Sequence, residues 1–268
     1  PGVTMFVQRA GRKVRNLGGT QASDQVGTDL NVRADHLTRK YPIIDLAWQQ
    51  EPNPILWVCR SDGRLLSFTF ERDQAVFGWG NHPLGGYSDA GQTLEPVVES
   101  ISSIPSADGL SDKLSMIVKR YINGATVRTI ETLAPVWVDG DAIADAFMVD
   151  CGLTYSGAAA TTISGLFHLV GQSVSVLADG RVHPMLTVNS AGQITLNYSA
   201  TKVQIGLPIR ARFETMRLET VTRTGSGQGK QKKIVRAAVR VAHTNQFRYG
   251  RTFTDMKLQD FGAQGDTL

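Results

Sequence analysis

The sequence predicts an all-β protein, an antiparallel β-meander forming a partial propeller-like platform with a small barrel-like β domain inserted in it. Three observations carry that expectation. Residues Trp57 to Trp79 (WVCRSDGRLLSFTFERDQAVFGW) spell out three strands and two tight turns. A strand, an Asn123-Gly124 turn and a second strand repeat that layout about sixty residues later. No window sustains a helical i, i+3, i+4, i+7 apolar stripe beyond about three turns.

Taken in order, Val3 to Arg9 reads as a strand, Ala10-Gly11 as a turn, and the residues up to Arg15 as a second strand. Gly18 to Asn31 is polar and loop-like, and Val32 to Lys40 fits one short helix closed by Tyr41-Pro42. Ile43 to Gln49 feeds the meander. There Ile55, Trp57 and Cys59 alternate with Leu56, Val58 and Arg60, and Asp62-Gly63 supplies the φ > 0 turn. Leu66, Phe68 and Phe70 then share a face, Arg72-Asp73 turns the chain, and Ala75, Phe77 and Trp79 alternate in the third run. Four short strands in about forty residues match the size of one propeller blade.

Gly80 to Glu95 is a Gly-rich connection. Val97 to Ile104, Leu114 to Arg120 and Ala125 to Leu133 form the second meander. Asp139, Asp141 and Asp145 surround a short helix expected over Asp141 to Met148. After Cys151 about five short strands follow: Leu166 to Ala178, His183 to Val188, Gln193 to Tyr198 and Lys202 to Ile205, with turns at Asp179-Gly180 and Ser190-Ala191-Gly192. That density is the mark of a small, closed or nearly closed barrel. Pro208 to Leu218 leads out, Thr224 to Lys233 is a basic Gly-rich loop, and Ile234 to Ala242 reads as a strand with Arg236 and Arg240 pointing outward. Phe247 to Phe261 is less regular. The expected organisation is a platform over 1–150, a barrel-like domain over 151–222 and returning strands over 223–268.

Composition narrows the function classes. A net charge of +4 over 268 residues permits a polyanionic partner without demanding one. Cys59 and Cys151 are read as free thiols. There is no secretory leader pattern and no apolar run long enough to span a membrane as a helix. The start at Pro1, with a strand already under way and no initiator Met, reads as a fragment of a longer polypeptide.

Enzymatic motifs are weak. Ser226 to Lys230 (SGQGK) resembles a phosphate loop, but Thr224 and Gln231 stand where the motif needs Gly and Ser or Thr, and no β-α unit surrounds it. His36, His82, His168, His183 and His243 include no pair at metal-ligand spacing, and His168 reads as a structural, hydrogen-bonded histidine. Cys59 lacks the electropositive surroundings that would make a Cys59–His82 pair nucleophilic. The Asp139–Asp145 carboxylates are too few for a calcium loop; as a glycosidase pair they would have to flank a cleft. No catalytic, cofactor-binding or metal-ligating residue is therefore expected. The basic positions are better candidates: Arg9, Arg12, Lys13 and Arg15 near the start, and Arg210, Arg212, Lys230, Lys232, Lys233, Arg236 and Arg240 near the end. They could meet a phosphate backbone or an acidic neighbouring subunit, or keep solvated sheet edges from aggregating.

The runs FVQRAGRKVR, ADHLT, LAWQQEPNPILWVCRSDGRLLSFTFERDQAVFGW, VVES, IVKRYINGATVRTIETL, HLVGQSVSVLADG and IGLPIRARFET together resemble the tail tubular or nozzle proteins of short-tailed bacteriophages and their prophage relatives. The resemblance covers most of the chain and is most specific over Trp57–Trp79, Gly171–Gly180 and Gly206–Thr215. It implies a virion structural protein rather than an enzyme, needing no cofactor and made in the bacterial host cytoplasm. It also implies a homo-oligomeric ring, commonly of six copies, around the channel through which the genome leaves. Adaptor and tail-fibre proteins are then the implied partners, with DNA passing transiently and without sequence preference. The segment from about Gly152 to Thr215 would be an inserted β domain, and the chain would be the C-terminal portion of such a protein. On this reading Arg60, Asp62, Trp57 and Trp79 pack and turn a structural blade. The alternative, from a different class, is a carbohydrate-binding or carbohydrate-active β-protein of a tail or cell surface.

Overall fold

Residue patterning decides most of the strands. The computed structural model describes residues 4–18, 26–71, 74, 76–215, 221–222, 225–226, 233–242, 244 and 246–261. The chain divides into two compact units, 1–212 and 213–268. It is all-β, and every strand pair is antiparallel.

In the first unit, β1 (Thr4–Val7), β2 (Val14–Gly18) and β3 (Val26–Asp29) form a sheet in that order. Gly11, at φ +70°, turns β1 into β2 as the Ala10-Gly11 pair predicts. The strand β3 was expected to be loop; it forms because Arg15, Asn16 and Leu17 of β2 offer it an open edge. One turn of helix, α1 (Asp35–Thr38), follows.

The strands of the Trp57–Trp79 meander are present. β4 (Ile43–Gln49), β5 (Ile55–Arg60), β6 (Leu65–Glu71) and β7 (Val76–His82) pair in chain order. Arg72, Asp73 and Ala75 lie outside the described residues. β8 (Val97–Pro105), β9 (Asp112–Ile122) and β10 (Ala125–Thr132) form the second meander, also in chain order.

These three sheets stack. Leu56, Val58, Leu66, Phe68 and Phe70 on one face of the β4–β7 sheet pack with Val14, Met5, Val7 and Leu30 of the N-terminal part. On the other face Ala47, Trp57, Cys59 and Leu65 pack with Val98, Ile101, Leu114, Met116 and Val118 of the second meander. A middle layer must be apolar on both sides, which is why five consecutive residues of β5, Leu56 to Arg60, are buried.

The region after 148 departs further from expectation. β11 (Val149–Ile163) and β14 (Ile194–Pro208) are fifteen residues each, and β12 (Ser173–Ala178) and β13 (Arg181–Thr187) are short; the sheet order is β11-β14-β12-β13. Two long strands replace several short ones. The β11–β14 register shifts three times, which bends the pair around its own apolar cluster. β11 and β13 remain edges that do not pair with each other, so the described strands close neither a barrel nor a ring of propeller blades. Residues 151–207 are not a separate body either, because Ile122 and Val127 of the second meander pack into their core. The helix expected over Asp141 to Met148 shrinks to a 3-10 turn, Ile143–Asp145, and His168 lies on another, Phe167–Leu169, rather than in a strand.

The second unit holds two hairpins, β15 (Val221–Thr222) with β16 (Gly225–Ser226), and β17 (Gln246–Thr252) with β18 (Asp255–Asp260). The strand expected over Ile234 to Ala242 is absent. Residues 233–242 carry no ladder, and every one of them is exposed, so Arg236 and Arg240 do not alternate against a buried face. Conversely, the stretch expected to be irregular, Phe247 to Phe261, is the longer hairpin.

Candidate functional site

The polar residues of the first unit are spent on holding its layers together. Arg60 forms a two-pronged ion pair with Asp62 and donates from Nη1 to Leu37 O at 2.6 Å. Trp57 Nε1 donates to Gln49 Oε1 at 2.9 Å, and Trp79 Nε1 donates to Leu30 O at 2.9 Å. A buried polar cluster surrounds Arg120, whose side chain is 1% exposed. It pairs bidentately with Glu131 across the β9–β10 ladder and donates from Nε to Gly85 O at 2.9 Å. Gly85 N in turn donates to Asp150 Oδ2 at 2.5 Å. Burial pushes the Asp150 carboxyl above its ordinary range. These contacts clamp the 83–95 connection, the second meander and the start of β11 at one joint.

Groups with chemical potential are similarly occupied. Both cysteines are free thiols and buried. Burial first, then the Asp45 and Asp62 carboxylates, push the Cys59 thiol up to about 12, and burial pushes Cys151 up to about 11. Neither is a nucleophile near neutral pH. His82 Nε2 lies 2.8 Å from Ser67 Oγ, and its ring packs against Trp57 at 5.1 Å. Burial lowers its pKa. His168 Nε2 is 2.9 Å from Cys151 O, as a hydrogen-bonded structural histidine should be. Asp141 accepts from Val138 N at 3.0 Å, and Asp145 pairs with Lys202. No three His, Cys, Asp or Glu side chains among the described residues are grouped to hold a metal. No helix among those residues is long and apolar enough to cross a membrane. A hollow of about 340 Å³ is lined, among the described residues, by Met5, Leu46, Trp48 and Leu56, none of them a carboxylate.

The basic candidates separate into two kinds. Lys13 bridges Asp29 at 3.0 Å and Asp35 at 2.9 Å, and the bonds to those carboxylates raise its pKa. Arg15 donates from Nη1 to Gly27 O at 2.6 Å, tying β2 to β3. Both are internal braces; Arg9 and Arg12 beside them are exposed. Lys230 and Lys232 lie outside the described residues. Lys233, Arg236 and Arg240 are exposed, and no ion pair among the described residues engages them. Elsewhere in the first unit Arg64 pairs with Glu95, and Arg128 pairs with Glu99 at 2.8 Å.

The division follows the sequence. Residues 213–268 hold ten Lys and Arg against five Asp and Glu, whereas 1–212 hold eighteen against nineteen. The net positive charge thus lies in the second unit. Sequence reasoning missed Arg248, Arg251 and Lys257 of the β17–β18 hairpin. Their signal was the alternation of Phe247 and Tyr249 with Gln246 and Arg248, which marks a strand carrying both rings and cations. No protein-family model matches the chain, and no curated protein matches it.

Proposed function

We propose that this chain is a structural subunit of a phage tail nozzle, part of a homo-oligomeric ring through which DNA leaves the virion. Six copies is the number implied by the proteins it resembles. The observation that carries the reading is how the most specific matching segment, Trp57–Trp79, is used. Its side chains with chemical potential, Trp57, Cys59, Arg60, Asp62 and Trp79, are all engaged in internal bonds or a buried core. A ring subunit needs such a platform, because the lateral surfaces of a closed ring must keep a fixed geometry. It also needs a wall that DNA can pass without sticking. The near balance of charge in the first unit, eighteen Lys and Arg against nineteen Asp and Glu, suits that requirement, since each free phosphate contact adds salt-dependent affinity.

The test is the mass of the purified protein by light scattering, with negative-stain electron microscopy. A six-fold ring supports the nozzle; a monomer whose melting temperature rises with added saccharide favours the carbohydrate-binding alternative and overturns it. For a role in DNA passage, Lys233→Glu, Arg236→Glu and Arg240→Glu together are expected to change genome retention or ejection while rings still assemble. Unaltered ejection removes those residues from the mechanism.

A further inference from the structure

The second unit presents a surface that its own fold does not use. None of its residues whose burial is described is buried, and the three apolar clusters among the described residues belong to the first unit. An isolated two-stranded hairpin is at best marginally stable in water, and no third strand among the described residues pairs with β17–β18. Its register fixes which side chains share a face. Phe247 opposes Gln259 and Tyr249 opposes Lys257, and Phe261 follows on the same side. The Phe247 ring lies 6.0 Å from Tyr249 and 6.0 Å from Phe261. Tyr249 is 49% exposed and Phe261 46%. Three rings therefore stand in a row with Lys257 opposite Tyr249 at one end of it, in a unit whose charge is net positive and whose described cations carry no ion pair.

We propose that this hairpin, together with the cationic stretch Lys233–Arg240 of the same unit, binds single-stranded nucleic acid. Rings in a row accept bases by stacking, which tolerates any sequence because every base has a π-face, and the cations take the phosphates. An acidic protein surface would satisfy the cations but offers no planar bases to stack on the rings. A duplex would satisfy the cations and leave the rings idle, since its bases are already stacked. Ordering a hairpin that lacks a core of its own on its ligand is the expected behaviour of such a segment. The inference does not rest on the nozzle reading: a ring could fail to form and the surface would still bind.

The experiment is fluorescence anisotropy of the full chain with labelled dT20, rU20 and a 20-base-pair duplex at 50 and 200 mM salt. The dT20 or rU20 strand is expected to bind at least several-fold tighter than the duplex, and the two single strands distinguish DNA from RNA as the source. Raising the salt should cost about tenfold or more. Tyr249→Leu keeps apolar bulk but removes the π-face, and should weaken strand binding about tenfold; Tyr249→Phe should retain it. Because the buried clusters lie elsewhere, unchanged melting of the first unit shows that Tyr249→Leu acts on the second unit alone, and retained binding by Tyr249→Phe controls for the hairpin. The proposal is overturned by no strand binding at 50 mM salt. It is equally overturned by equal duplex and strand affinity that Tyr249→Leu leaves unchanged. Self-association that protects the 246–260 amides from hydrogen exchange would assign the face to a protein interface instead.

Discussion

Arg120 shows how a single residue can fix a joint. A guanidinium removed from water is tolerable only when its donors are all met, and here Glu131 and Gly85 meet them. Arg120→Ala strands Glu131 and should cost about 3–5 kcal/mol in urea unfolding. Arg120→Met with Glu131→Leu removes both charges at similar volume, so it should recover most of that loss. His82 sets a pH dependence whose sign follows from burial. Its folded pKa is lowered, so the unfolded chain takes up a proton first as pH falls below the usual histidine range. Stability is therefore full above about pH 6.5 and declines below it. His82→Phe keeps the packing on Trp57 and should flatten the profile of urea midpoints between pH 7.5 and 5.5. A profile unchanged by that substitution would refute the assignment. Cys59 offers the converse: with its thiol near 12, it should resist aromatic disulfide reagents at pH 8 and react once urea unfolds the chain.

At the scale of elements, two turns that look alike in sequence do different work. Asp62-Gly63 and Asn123-Gly124 both supply positive φ, at +82° for Gly63 and +79° for Gly124. A Cβ on Gly63 would stand 2.7 Å from Val97 Cα, and Gly63 O accepts from Val98 N at 2.8 Å, so this turn is pressed against the start of β8. A Cβ on Gly124 would meet no described atom within 4 Å beyond its chain neighbours. Gly124→Ala should cost only the left-handed backbone strain, about 1–2 kcal/mol. Gly63→Ala adds overpacking to that and should cost about 3 kcal/mol or more by chemical denaturation. The strands flanking both turns were legible because alternation and turn residues are local signals. β11 was not legible. Its sequence, VDCGLTYSGAAATTI, has few large side chains, and it extends only because β14 runs beside it and bulges with it. Ile234 to Ala242 fails in the opposite sense: it has strand propensity but no partner edge, and propensity alone does not make a ladder.

Over the whole molecule, apolar burial is unequally shared. All described buried residues fall within 1–212. Limited trypsin digestion should therefore cut first at Lys233, Arg236 and Arg240 and leave a resistant body spanning most of 1–212, read by mass spectrometry; early cuts at Arg120 or Lys202 would contradict this. The candidate surface was half legible. The surplus of cations near the end is written in the sequence, and Arg9, Arg12, Lys13 and Arg15 look equivalent to them there. Only the fold separates them, by giving Lys13 and Arg15 internal acceptors, whereas no ion pair among the described residues engages Lys233, Arg236 or Arg240. By itself the sequence determined the all-β class, the strands of the two meanders and the Asp62-Gly63 and Asn123-Gly124 turns, because these depend on neighbours two to four residues apart. The tertiary structure decided that β5 is buried on both faces, that β11 and β14 are single long strands, and which cations stay free. Those outcomes depend on residues tens of positions apart meeting across sheets, which no local pattern encodes.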